Sequence, residues 1–259
     1  MIFLVDNGSL RPDAYLNLCK IAAEVSAVIG NCVKPAPLLH ANKIPCEELG
    51  GNSAVLLEAQ ITEGLLNGVS EFTVLPLFFG ESGALTDYLP RRLKKLSESH
   101  GQFKVKQLKP LFIDASNGGD ILVAILEDRV RSSTNDHQLE ECKIVLVDHG
   151  SPKVAVTNVR NQLAQLLNER FLLDGFEVVA ASMERRPGPE YSFNEPLLET
   201  LLANISTGNV VVAQLFLAPG RHAGPNGDIA AICEQAEAVS DNLNIFRTDL
   251  IGNHPLIIE

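Results

Sequence analysis

No apolar run in this chain approaches the roughly 20 residues that a bilayer-spanning helix requires, so no membrane span is expected. The five cysteines (Cys19, Cys32, Cys46, Cys142 and Cys233) are odd in number and scattered, with no C-x-x-C pair. That excludes a disulfide framework and a thiolate metal site, an iron–sulfur cluster included, and favours a reducing compartment such as the cytoplasm or an organelle stroma. No long basic stripe offsets the formal net charge of −11, so nucleic acid is not an expected partner. Walker A and G-x-G-x-x-G loops are also missing, which removes the usual grounds for a nucleotide cofactor. The opening "MIFLVDNGS" has neither a basic n-region nor a small-residue cleavage site and reads as a strand, not a signal peptide.

What the chain does have is 46% hydrophobic and 20% charged residues, the balance of a globular α/β protein, and a repeated pattern. "IFLVDNGS" at Ile2–Ser9 recurs as "IVLVDHGS" at Ile144–Ser151, an offset of 142. "VLPLFF" at Val74–Phe79 recurs as "VAQLFL" at Val212–Leu217, an offset of 138. "LKPLFIDASN" at Leu108–Asn117 has a weaker echo in "FRTDLIGNHP" at Phe246–Pro255. Three matches in one order at nearly one spacing indicate an internal duplication. The expected domains are 1–135 and 142–259, joined through the polar stretch Arg131–Cys142.

Strands and helices alternate in each half, which predicts an α/β fold of two tandem doubly wound domains with parallel four-stranded sheets. In the second half the expected strands are Lys143–Asp148, Phe176–Met183, Asn209–Leu217 and Asn244–Ile251. The expected helices there are Val154–Phe171, Glu195–Ile205 and Asp228–Val239. The first half continues into a helix over Ile121–Val130, whereas the second reaches Glu259 where its counterpart would begin. The cluster "RRLKKL" at Arg91–Leu96 has amphipathic spacing, with Leu93 and Leu96 inward and its charges solvated.

Open parallel sheets bind ligands outside the carboxyl ends of their strands. His149 follows the first strand of the second half, and His222, in "LFLAPGRHAGPNGD", follows the third. The fold therefore predicts that two imidazoles 73 positions apart share one crevice. The glycines of the loop would let its backbone approach a flat ligand. Neutral imidazole can bind a divalent metal or accept a proton. Glu184, after the second strand, is the candidate third metal ligand, and a surface pairing with Arg185 or Arg186 is its competing role.

"VDHGS", "LFLAPGRH" and the Asp-Ile that follows resemble the sirohydrochlorin chelatases, class II chelatases that include cobalt and nickel insertases. The resemblance spans the chain, once per half. It implies ATP-independent insertion of Fe²⁺, Co²⁺ or Ni²⁺, the metal being a substrate, into a reduced tetrapyrrole such as sirohydrochlorin. It assigns the catalytic role to His149 and His222, with Glu184 in the position of a Met-Glu pair and His254 as a structural residue. A tetrapyrrole carries carboxylates, and Arg185, Arg186, Arg221 and Lys153 are the cations expected at the crevice rim.

The first half departs from this pattern. Asn7 replaces the histidine of "VDHGS", "LFFGESGALTD" has none after the third strand, and His40 falls near the position of Glu184. That half reads as a degenerate copy completing an intramolecular pseudo-dimer, by analogy with the family's single-domain homodimers. Acidic residues exceed basic ones 17 to 13 over 1–140 and 15 to 8 over 141–259, so the histidine-bearing half is the more acidic. A noncatalytic metal or tetrapyrrole carrier, or a regulator, is the alternative reading. Phosphoryl transfer through Arg221-His222, as in the histidine phosphatases, is disfavoured because alanine follows the histidine.

Overall fold

The computed structural model describes all residues, Met1–Glu259. The chain divides into two units, Met1–Ile113 and Asp114–Ile257. In the first, β1 (Ile2–Val5), α1 (Pro12–Ile29), β2 (Val33–Pro35), α2 (Leu57–Leu66), β3 (Glu71–Pro76), α3 (Leu89–His100) and β4 (Lys104–Gln107) alternate along the chain. The strands form a parallel sheet in the order β2-β1-β3-β4. α1 starts at a proline, whose fixed φ suits the first helical turn, and stops at Gly30 with φ 67°. On α3, Leu96 is buried and Leu93 packs partly buried against the core, as the amphipathic spacing requires.

The second unit repeats the arrangement with longer strands. It contains α4 (Gly119–Asp136), β5 (Lys143–Asp148), α5 (Val154–Phe171), β6 (Glu177–Ser182), α6 (Leu198–Ala203), β7 (Thr207–Gln214), α7 (Asp228–Ala238) and β8 (Asn242–Arg247). Its parallel order, β6-β5-β7-β8, matches the first sheet strand for strand. Ile144–Val147 of β5 are wholly buried, because helices cover both faces of a central parallel strand. Val159, Leu163 and Leu167 form the buried stripe of α5. Burying each such side chain contributes about 1.5–3 kcal/mol. No helix is long and apolar enough to cross a membrane.

Four features differ from the sequence expectation, one of them β8, which spans Asn242–Arg247 rather than Asn244–Ile251. α4 runs to Asp136, well into the expected linker, and it packs on α5 and β7 of the second unit. Its last turns lack apolar periodicity because Ser133 and Thr134 occupy buried positions there, with the Thr134 hydroxyl donating to the Arg131 carbonyl. Asp128 and His254, and Arg129 and Asn253, tie α4 to the end of the chain. By packing, the two units meet at residue 113/114. α6 begins at Leu198 rather than Glu195, because the Pro196 carbonyl accepts from the Ser182 amide at 3.0 Å and holds 195–197 extended. β7 ends at Gln214, where the Phe216 amide turns back onto the Gln214 carbonyl at 2.9 Å.

Candidate functional site

In the order β6-β5-β7-β8 the chain leaves β5 in one direction for β6 and returns on its other side as β7, so the topological switch point lies between β5 and β7. His149 follows β5 and His222 lies on the loop after β7. Their rings meet edge to face, with centroids 4.5 Å apart and planes at 75°. The convergence expected from the sequence is therefore present.

The β5 turn is built tightly. The Met183 amide donates to the Asp148 carbonyl at 2.7 Å and the Glu184 amide to the His149 carbonyl at 3.2 Å, which extends the ladder past β6 and sets Glu184 beside His149. Gly150 has φ +90°, and a Cβ there would lie 1.8 Å from the Glu184 carbonyl oxygen. Only glycine fits that place. The Asn194 side chain, fully buried, accepts from the Ser151 amide at 2.9 Å and donates to the Ser151 carbonyl at 3.0 Å, fixing the turn's far end.

Beneath the turn lies a buried polar cluster. The Ser182 hydroxyl donates to Asp148 Oδ1 at 2.7 Å. The Arg160 guanidinium, 1% exposed, bonds the Ser182 hydroxyl and the Asn194 carbonyl, and stands 3.5 Å from the same Asp148 oxygen. Burial pushes the Asp148 carboxyl up, against the pull of Ser182 and Arg160, and burial also pushes the Arg160 guanidinium down. Desolvation dominates both members, so this pair orders the turn more than it stabilises the fold.

Donor chemistry identifies what the site lacks. His149 Nδ1 stands 3.0 Å from the Gly150 carbonyl oxygen, which can only accept, so Nδ1 carries the hydrogen. In the neutral ring Nε2 is then a bare lone pair, and it faces Glu184 Oε1 at 3.5 Å. Two acceptors that face each other leave a gap suited to a proton or a cation. His222 Nδ1 lies 2.7 Å from Asp228 Oδ2 at the start of α7. These donors form pairs, and no three acidic, histidine or cysteine side chains close into a metal cage. Burial pushes the Cys233 thiol up to about 12 and that of Cys142 to about 11, so neither supplies a thiolate at neutral pH.

The four expected cations differ in their surroundings. Arg185 is held by Glu195 at 2.6 Å and by the carbonyls of Arg186 and Gly188, so it braces its own loop. Arg186 is exposed, over the Tyr191 ring at 5.9 Å. Arg221 is exposed, with Nε 3.7 Å from Asp228. Lys153 caps α5, and its amide donates to the Ser151 hydroxyl at 3.0 Å. His254 accepts from the Leu256 amide while its other nitrogen meets Asp128 at 3.2 Å.

In the first unit the Leu38 amide donates to the Asp6 carbonyl at 3.0 Å, the counterpart of Met183 and Asp148. A Cβ on Gly8 would lie 1.8 Å from the Leu39 carbonyl, as one on Gly150 would from Glu184. Leu39 therefore stands in the place of Glu184, and the exposed His40 in the place of Arg185. His40 thus falls near the Glu184 position, as expected, but one residue past it. One residue of offset moves it off the ligand place.

The site is open, pairs imidazoles with carboxylates at a sheet's switch point, and belongs to an α/β chain folded from two like halves. The family model CbiX matches residues 143–259, so this stretch of the chain is similar to the CbiX family. The fold of the whole chain is also that of solved chelatases. SirB from Bacillus subtilis with Fe³⁺ is 17% identical, with a TM-score of 0.70 over 99% of this chain and 90% of that one. The sirohydrochlorin chelatase SirB from Bacillus subtilis subspecies spizizenii, in complex with cobalt, is 16% identical, with a TM-score of 0.67 over 99% and 89%. CbiX, described as the terminal enzyme for siroheme biosynthesis in denitrifying bacteria, is 16% identical, with a TM-score of 0.63 over 99% and 93%. No curated protein sequence matches the chain.

Proposed function

We propose that this protein inserts a divalent metal, Fe²⁺ or Co²⁺ (with Ni²⁺ a further candidate), into sirohydrochlorin or a related reduced tetrapyrrole without ATP, in siroheme or cobalamin biosynthesis. The observation that carries the reading is the opposition of His149 Nε2 and Glu184 Oε1 at 3.5 Å, two lone-pair atoms with a cation-sized role between them. His222 adds a second imidazole at the same crevice. An incoming ion exchanges waters for these side chains and keeps open positions for the macrocycle.

As the metal enters, two inner N–H protons must leave the tetrapyrrole. The imidazoles accept them as general bases and pass them to solvent, which restores the site. The metal binds neutral imidazole, so ion delivery and proton acceptance alternate on the same nitrogens. Arg186, Arg221 and Lys153 supply partners for the substrate's carboxylates, whereas Arg185 is already committed to Glu195. The cytoplasm is the proposed compartment, since all five cysteines are free thiols.

The test is anaerobic incubation of the protein with sirohydrochlorin and each metal, followed by absorbance. A metal-dependent spectral change is expected, lost in His149→Ala and His222→Ala and kept in His40→Ala. A wild-type protein that binds the tetrapyrrole yet never metallates it would establish the carrier reading instead. The first unit, with Asn7 and Leu39 in the ligand places, is the observation that favours that alternative.

A further inference from the structure

We infer that Asp228 is a positioning residue: it accepts a hydrogen bond from His222 Nδ1 and thereby fixes this ring in the tautomer whose Nε2 is bare. The inference rests on the chelatase reading for its purpose but on geometry for its content. The two residues are six positions apart, and Asp228 Oδ2 lies 2.7 Å from His222 Nδ1. A carboxylate oxygen only accepts, so a neutral His222 must carry its hydrogen on Nδ1. A metal-bound or proton-accepting imidazole needs the opposite nitrogen free, and a carboxylate behind the ring supplies that orientation.

The intervening loop is shaped to make this contact. The Asp228 amide donates to the Arg221 carbonyl at 3.1 Å and the Ile229 amide to the His222 carbonyl at 3.1 Å. The first turn of α7 thus receives the backbone of the residue whose ring its aspartate holds. Gly227 permits the approach, since a Cβ there would stand 2.6 Å from the His222 carbonyl oxygen. The Gly220 amide bonds the Ala223 carbonyl at 2.7 Å, and Arg247 donates to the Gly224 carbonyl at 3.0 Å. Ile229 and Ala230, almost fully buried, anchor the helix that carries Asp228. The five-residue segment "AGPNG" is therefore a closed turn that brings Asp228 back to the imidazole, and its glycines serve that closure.

An acidic residue in a first helical turn also favours the helix dipole. That structural role alone would leave the ring's tautomer untouched, so the tautomer is the deciding measurement. Full-length protein with ¹⁵N-labelled histidine gives long-range proton–nitrogen spectra in mildly alkaline buffer, where imidazole is neutral. The His222 signal is identified among the six histidines by its loss in His222→Ala. The wild type is expected to show the Nδ1–H form alone. Asp228→Ala is expected to show a large share of the Nε2–H form, with Co²⁺ affinity about 10- to 100-fold weaker and thermal unfolding nearly unchanged. Retention of the Nδ1–H form in Asp228→Ala, or its absence from the wild type, would overturn the inference. Failure of the wild type to metallate a tetrapyrrole would refute the proposed activity while leaving the tautomer measurement to decide this point.

Discussion

Gly150 and Glu184 are locked together: a Cβ on Gly150, at φ +90°, would lie 1.8 Å from the Glu184 carbonyl oxygen. Since that oxygen is backbone, relief would require moving the β5 turn away from the β6 turn. Gly150→Ala is therefore expected to lose about 2–3 kcal/mol, read by urea unfolding, and to weaken Co²⁺ binding because His149 and Glu184 no longer meet. Gly8→Ala makes the same clash with Leu39. It should destabilise similarly and leave the Co²⁺ titration unchanged, which separates the strain from the site.

Asp6, at the end of β1, is the counterpart of Asp148 without its arginine, since Leu18 occupies the place of Arg160 on α1. Burial raises its carboxyl to about 6, against hydrogen bonds that include the Gly8 amide. The folded state thus holds this proton more tightly than the unfolded chain, whose value is near 3.8. Asp6 costs nothing below about 4, and the cost grows as pH rises from about 4 to about 6 and is constant above that. Asp6→Asn should be more stable than wild type at neutral pH, on the order of 3 kcal/mol. The gain should vanish below about pH 4, with thermal midpoints at several pH values as the measurement.

The buried cluster under the β5 turn predicts a strong interaction between two substitutions. Arg160→Met leaves Asp148 buried without its cation and should cost about 3–5 kcal/mol in urea unfolding. Adding Asp148→Asn removes the unpaired charge and should recover much of that loss. Simple addition of the two single costs would show that the pair does not act as a unit.

The parallel four-stranded sheets, the duplication and the convergence of His149 with His222 were legible because they rest on alternating elements, a repeated pattern and the rule for strand ends. β5 reads as a strand buried on both faces, and α5 matches its expected bounds from Val154 to Phe171. The reassignment of α4 was not legible, because Ser133 and Thr134 bury without contributing apolar periodicity. That His40 stands one place past the counterpart of Glu184 was not legible, because only the hydrogen-bond register at Leu38 aligns the two halves. Asn194, reached across 43 residues from Ser151, leaves no local mark. Arg160 did leave one: a charge beside Val159 and Leu163 on the apolar stripe of α5 demands a buried partner. Asp228 was visible as part of a motif, but its pairing with His222 depends on a loop closure that no spacing rule supplies.

Glu184→Gln should move stability and metal binding in opposite directions. In the metal-free protein the carboxylate and the bare His149 Nε2 face each other as two acceptors at 3.5 Å. An amide in the same place can donate to that nitrogen and so replaces an opposition with a hydrogen bond. Both side chains are about half exposed, so water already screens much of the opposition and the gain is a few tenths of a kcal/mol at most. A divalent ion, by contrast, loses an anionic oxygen ligand and meets a neutral one, and Co²⁺ affinity should fall about tenfold or more. Thermal unfolding and Co²⁺ titration on the same samples give both readings. A variant that binds Co²⁺ as tightly as the wild type would mean that Glu184 only shapes the rim, and the ion would then have to be held by the imidazoles without it.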